Sequence, residues 1–262
     1  MKKGFKKIAL VASVCAFSLI GFSSAVTGRF TRQFNPEVSS FGVTIASQEN
    51  ILVSNSDDPG TFVDSIKLQD LVSDTEVSLT PVVGKVTPTS DGEYQHFSLT
   101  KNGVDADPRA YLSFDLYFIG SRDMNLYLKG STSGTVAVFD DTNADEHFED
   151  SDRERLLDNL RVGFLTYSTT YQPSGTGIEP VYSDSPVLTN IYSRNVESSA
   201  NYTTFNRLGY SNTASDRILA VTTKNEVTKV KVVVWIEEDG SADIEAICNL
   251  TLHLRFEAII RE

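Results

Sequence analysis

The densest run of side chains able to do chemistry is D-D-T-N-A-D-E-H-F-E-D-S-D, from Asp140 to Asp152. With Asp141 as position one, Asn143 falls at three, Asp145 at five and Asp152 at twelve, the oxygen spacing of a loop that wraps calcium before a helix leaves it. Two positions depart from that pattern. Glu146 stands at position six, where the turn wants glycine, and position twelve is an aspartate where a longer glutamate reaches both sides of the ion. The competing reading is an acidic loop whose carboxylates sit beside a helix N-terminus. Calcium on Asp141, Asn143, Asp145 and Asp152 is thus the one cofactor these residues would suit, and no other is expected.

Catalysis would need a nucleophile beside a base, or a metal with an open position. The sequence contains no G-x-S-x-G elbow, H-E-x-x-H, phosphate loop or dinucleotide fingerprint. His96, His147 and His253 lack the spacing of a ligand set, and His253 falls on the polar side of a strand pattern. The expectation is a protein that is not an enzyme.

The elements that would hold such residues are mostly strands. Ala246, Cys248, Leu250, Leu252, Leu254, Phe256 and Ala258 share one parity, while Asn249, Thr251, His253, Arg255 and Glu257 take the other. The same alternation runs through 111–118 and 229–236, and half-buried antiparallel sheets produce it. Further strands are expected at 41–46, 76–83, 95–99, 124–129, 135–139, 161–167, 187–192 and 217–222. One helix is predicted from Ser151 and Glu154, which make a capping box, with Leu156, Leu157 and Leu160 as its apolar stripe. Residues 61–73 suit a helix or a strand. Tyr171 to Asp184, punctuated by Pro173, Gly175, Gly177 and Pro180, reads as a long surface loop. Together these predict an all-β fold, a jelly-roll-like antiparallel β-sandwich with one or two short helices.

The chain opens with Lys2, Lys3, Lys6 and Lys7, an apolar run from Ile8 to Phe22, and then Ser23, Ser24 and Ala25. A basic start, a short apolar stretch and a small-residue site are the parts of a secretory signal peptide, placing cleavage after Ala25. The apolar run is short for a bilayer, which needs roughly twenty residues, so contact with the membrane is expected only through the signal peptide before cleavage. The expected organisation is residues 1–25 as signal peptide, 26–40 as an N-terminal segment and 41–262 as one sandwich domain, in a protein secreted to the cell surface or beyond.

Loss of residues 1–25 removes four lysines from 23 basic residues and none of the 35 acidic ones, leaving a net charge of −16. Such a chain repels nucleic acid and anionic lipid, which require clusters of Lys and Arg. Of the two cysteines, Cys15 leaves with the signal peptide, so no intrachain disulfide is expected and Cys248 reads as a small core residue. In Val26 to Phe34, Phe30 and Phe34 fall on one side of a strand freed by cleavage, and this segment is expected to mediate assembly.

Several motifs resemble a known family. The leader, S-L-T-P-V-V-G-K-V-T-P at Ser78 to Pro88, the helix running into L-R-V-G-F-L at Leu160 to Leu165, and V-V-V-W-I-E-E-D-G-S-A-D-I-E-A-I-C at Val232 to Cys248 are similar to secreted proteins of Gram-positive bacteria. That family is the one of the biofilm matrix protein TasA and of camelysin. The resemblance implies a jelly-roll sandwich at the cell surface that assembles into fibres, partnering itself or other matrix and cell-wall components. Glu238 stands where the late motif usually has glycine, and there is no zinc-binding set to inherit. Arg161, Trp235, Glu237 and Cys248, the matching positions, would be scaffold. The alternative function is an extracellular glycan- or ligand-binding sandwich that displays Tyr167, Tyr171, Tyr182 and Tyr192.

Overall fold

The computed structural model describes residues 37–46, 51–67, 79–88, 95–129, 137–141, 150–174, 177–194, 206–207, 217–238 and 247–261. The strands are β1 (Glu37–Ala46), β2 (Ile51–Ser54), β3 (Ser65–Lys67), β4 (Val83–Pro88), β5 (Gln95–Lys101), β6 (Val104–Asp105), β7 (Leu112–Gly120) and β8 (Met124–Lys129). They continue as β9 (Ala137–Asp141), β10 (Leu160–Thr166), β11 (Thr169–Ser174), β12 (Gly177–Tyr182) and β13 (Val187–Ser193). The last are β14 (Asn206–Arg207), β15 (Ala220–Thr222), β16 (Val227–Ile236) and β17 (Ile247–Ile260). Among the described residues the one α-helix is α1 (Asp150–Asn159), and short 3-10 turns lie at Pro59–Thr61 and Pro108–Ala110.

Two six-stranded sheets form the sandwich. The first runs β15-β8-β17-β1-β3, with β9 pairing on β17 beside β8, and the second runs β14-β13-β10-β16-β7-β2. Strand β17 is the spine of the first sheet. Its Cys248–Leu252 stretch takes β9 and its Arg255–Ile260 stretch takes β8 on one edge, while β1 lies along the other from Ile247 to Arg255. The β1–β17 pairing is parallel, as is the short β13–β14 pairing, whereas most of the other strand pairs are antiparallel. The all-β sandwich expected from the alternation is therefore the fold.

Between the sheets, one face of each strand closes a common core. Leu112, Phe114, Leu116 and Phe118 from β7, Val230, Val232 and Val234 from β16, and Leu252, Leu254 and Phe256 from β17 are all buried there. Phe256 packs edge-on against Phe118 and Phe164, with centroids 4.9 and 6.0 Å away, so one ring from the first sheet locks two from the second. His253 and Arg255 stay exposed on the opposite face of β17, as the parity predicts.

The outer face of the second sheet is also covered, which a simple sandwich does not require. A three-stranded sheet, β4-β5-β6, lies over it and closes a second core of Val82, Leu99, Ala110, Leu165, Ile191, Val233 and Trp235. Its β5–β6 hairpin turns at Asn102 and Gly103, whose φ angles of 53° and 78° are the pair that a two-residue type I′ turn needs. Strand β10 is consequently buried on both faces from Leu160 to Leu165.

Some elements differ from expectation. Residues 171–184 form most of a β11–β12 hairpin instead of a loop. Tyr171 pairs with Pro180 and Pro173 with Ile178, so both prolines fall on ladder positions of one parity, where the missing N–H would point outward. Helix α1 starts at Asp150, which puts Ser151 inside it, and Leu160 begins β10 in place of closing the helical stripe. Residues 65–67 settle as strand, the described part of the 76–83 expectation leads into β4 at 83–88 while 76–78 lie outside the described residues, and β1 begins four residues before the expected boundary at 41. Because Phe256 bridges both sheets at 1 % exposure, Phe256→Ala is expected to destabilise the fold by about 3–5 kcal/mol in a urea titration, with the slope unchanged.

Candidate functional site

Two polar constellations interrupt the outer face of the second sheet. At one end, register sets Arg161 opposite Trp235 on β16 and Ser193 on β13. Arg161 is 6 % exposed, and its Nη1 donates to the Asp158 carbonyl at 2.6 Å and to Ser193 Oγ at 2.8 Å. Next to it the Glu237 N–H donates to the Asn159 carbonyl at 2.8 Å. These two donors satisfy carbonyls that the last turn of α1 leaves open, which lets the helix pass straight into β10 without a glycine cap. Arg194 adds an ion pair to Glu154 at 2.5 Å on the helix surface.

Trp235 is fully buried and its Nε1 donates to Glu237 Oε2 at 2.7 Å, so the indole and the carboxylate satisfy each other inside the second core. Gly163 fits closely beside the ring, since a Cβ there would stand 3.0 Å from Trp235 Cζ3 and the ring would have to give. Phe97 of β5 covers the ring at a 5.1 Å centroid distance. Strand β4 is pinned above through Val82, whose N–H donates to the Ile236 carbonyl at 2.9 Å and whose carbonyl accepts from Glu238 at 3.0 Å. This end acts as a joint between helix, sheet and cover.

At the other end, Lys229 lies among three aromatic rings. Its Nζ is 4.3 Å from the Tyr167 centroid, 5.3 Å from Tyr182 and 5.5 Å from Tyr117, and it pairs with Asp115 Oδ2 at 2.8 Å. Strand register places Lys229 opposite Tyr117 and Lys231 opposite Asp115, so one carboxylate serves both lysines. Tyr182 arrives from the β11–β12 hairpin and stacks edge-on against Tyr117 and Tyr167 at 5.8 and 6.4 Å. Its hydroxyl is buried and has no hydrogen-bond partner among the described residues. Tyr171 of the same hairpin accepts the Val227 N–H at 2.8 Å and donates to the Val227 carbonyl at 3.4 Å.

The sequence-predicted residues are distributed unevenly over this frame. Asp141 ends β9 and Asp152 lies in α1, and these two elements touch. Asn143, Asp145, Phe30 and Phe34 lie outside the described residues. Among the described residues no three His, Cys, Asp or Glu side chains gather as a metal group, and no helix is long and apolar enough to cross a membrane. Of the four tyrosines considered for ligand display, Tyr192 is buried against Phe164 in the main core, and Tyr167 and Tyr182 turn toward Lys229. Lys229, Tyr117 and Asp115 were not singled out by the sequence, which shows alternation but not which residue of β7 faces which of β16.

Neither a scan of protein-family models nor a search of curated proteins returned a match to this chain.

The two ends give separate expectations. Gly163→Ala should cost about 1–3 kcal/mol by forcing the Trp235 ring aside, and Trp235→Phe a similar amount by removing a donor from buried Glu237, both read by chemical denaturation. The tyrosine cluster instead governs alkaline behaviour. Burial pushes the phenols of Tyr117, Tyr171 and Tyr182 above their ordinary 10.0, with the Asp57 charge adding to the rise at Tyr117 and Tyr182 and that of Glu226 at Tyr171. Burial pulls the Lys229 ammonium down from 10.5, but the hydrogen bond and charge of Asp115 together with Tyr117 and Tyr167 outweigh it and hold it higher. All four groups bind protons more tightly when folded, so their stabilisation is complete below about pH 10 and is lost as pH rises through the raised folded values. Absorbance titration of tyrosinate should therefore show a late-ionising set that loses its latest step in Tyr182→Phe, whose ring still covers Tyr117.

Proposed function

We propose that this chain is a secreted structural protein of the cell surface or biofilm matrix, whose copies assemble by adding a strand to one another. The observation that carries this reading is the edge of β1. Its partner β3 covers only Thr44–Ala46, so among the described residues the stretch from Glu37 to Val43 is paired on the β17 side alone. An exposed row of backbone donors and acceptors is a template for another strand.

The segment that would fill it is residues 26–34, immediately before β1 in the chain. Only Asn35 and Pro36 separate that segment from the edge. A tight two-residue hairpin would need positive φ at both positions, or glycine at the first, and proline is locked near −65°. The segment is therefore ill suited to fold back on its own edge and better suited to a neighbour's. There it would gain main-chain hydrogen bonds and bury Phe30 and Phe34 at about 1.5–3 kcal/mol each. The family resemblance read from Ser78–Pro88, Leu160–Leu165 and Val232–Cys248 points the same way, as does a net charge that disfavours nucleic acid and anionic membranes. Partners would be further copies, or other matrix and cell-wall components. A calcium ion on Asp141, Asn143, Asp145 and Asp152 would serve stability, raising the melting temperature in millimolar calcium.

Glycan binding has less support, because three of its four tyrosines face the protein. The deciding measurement is sedimentation of the chain from Val26 beside one lacking residues 26–34. The longer chain is expected to form concentration-dependent oligomers that shrink when a free 26–34 peptide is added, with the shorter chain monomeric. Monomers from both at high concentration would reject strand addition.

A further inference from the structure

The β11–β12 hairpin is set apart from the rest of the sandwich by how it is held. Among the described residues its two strands pair only with each other, and a two-stranded ribbon alone is marginal in water. One of its faces carries Thr169, Tyr171, Pro173, Ile178, Pro180 and Tyr182, and the ladder pairs them two by two. The base of that face rests on the second sheet, but Ile178 at its far part is 72 % exposed, so the apolar face continues past its support. Tyr182 packs on Tyr117 and Tyr167 around Lys229, and the Tyr171 hydroxyl bridges the Val227 peptide groups. The base is closed by Ser168 and Ser183, where the Ser183 N–H donates to the Ser168 carbonyl at 2.9 Å and the Ser168 N–H to Ser183 Oγ at 3.2 Å.

We infer that this hairpin is a strap that opens and closes as a unit over the outer face of the second sheet, hinged at Ser168 and Ser183 and latched by Lys229 inside its tyrosine cluster. Three features make opening easier here than elsewhere. The closed state leaves the Tyr182 hydroxyl buried with no hydrogen-bond partner among the described residues, and opening returns it to water. The apolar area released is that of a few side chains, whereas opening β10 or β16 would uncover both cores. Lys229 keeps Asp115 when the strap leaves, because that pair joins β16 to β7 and owes nothing to the hairpin. The strap thus covers and uncovers an ammonium group, a carboxylate and Tyr117 without loss of the sandwich, independently of whether copies assemble.

Native-state hydrogen exchange on the full secreted chain tests this. Amides of residues 169–174 and 177–182 should exchange through a local opening, well ahead of those at 160–165 and 230–236. Lys229→Met, which keeps the stem and removes the cation, should speed strap exchange about tenfold while leaving the central strands unchanged. Tyr171→Phe should act in the same direction through loss of the Val227 bridge. In the wild-type protein, an amine-reactive label should reach Lys229 at a rate that follows strap opening. Strap amides that exchange only with the central strands would overturn the inference. So would a Lys229→Met protein whose strap and centre accelerate equally, or whose strap does not accelerate at all.

Discussion

Burial of β16 on both faces is the constraint from which the rest of the architecture follows. Its inner side chains, Val230, Val232 and Val234, need only the opposing sheet. Its outer ones, Lys229, Lys231, Val233 and Trp235, are two cations and two large apolar groups along one face, and no single cover suits both kinds. The protein divides the task. The β4-β5-β6 sheet seals Val233 and Trp235, and the aromatic hairpin lies over Lys229. Each end also has the polar partner it requires: Glu237, two residues along the chain from Trp235, takes the indole nitrogen beside the point where β4 is tied down through Val82, and the rings of Tyr117, Tyr167 and Tyr182 surround the ammonium, which already has Asp115.

The joint at Arg161 shows how one side chain relieves a conflict between neighbouring elements. Helix α1 enters β10 without a turn, so its final carbonyls would be left open in a buried place. Arg161 faces the helix end by being the second residue of the strand, and the Glu237 backbone reaches it from across the sheet. The helix end is satisfied by strands and cannot be moved independently of them. The helix-to-strand segment and the segment around Trp235, far apart in the sequence, are thus held as one unit.

Alternation made the sandwich legible. In β7, β16 and β17 the apolar parity identifies the core face correctly, and the exposed His253 and Arg255 fall where it predicts. Three things were hidden for physical reasons. Pro173, Gly175, Gly177 and Pro180 imitate a loop, because a two-stranded ribbon accepts proline at outward-facing positions that a wider sheet would refuse. The parallel union of β1 with β17 joins opposite ends of the chain, and nothing local encodes it. The Lys229 cluster depends on which residue of β7 faces which residue of β16, information carried by register alone. The calcium spacing and Phe30 and Phe34 remain statements about sequence, since most of those residues lie outside the described part of the chain.

The parallel pairing of β1 with β17 sets how the molecule would bear load. Glu37 aligns with Ile247 and Ala46 with Arg255, so the incoming end of β1 and the outgoing end of β17 lie at opposite ends of the pair. Tension applied between the two termini then runs along the strands, and the evenly spaced hydrogen bonds between them are strained together in shear. An antiparallel pair pulled from adjacent ends would instead unzip one bond at a time, at much lower force. Pulled through these two strands, the domain would load this pair in shear before its antiparallel pairs could open one bond at a time.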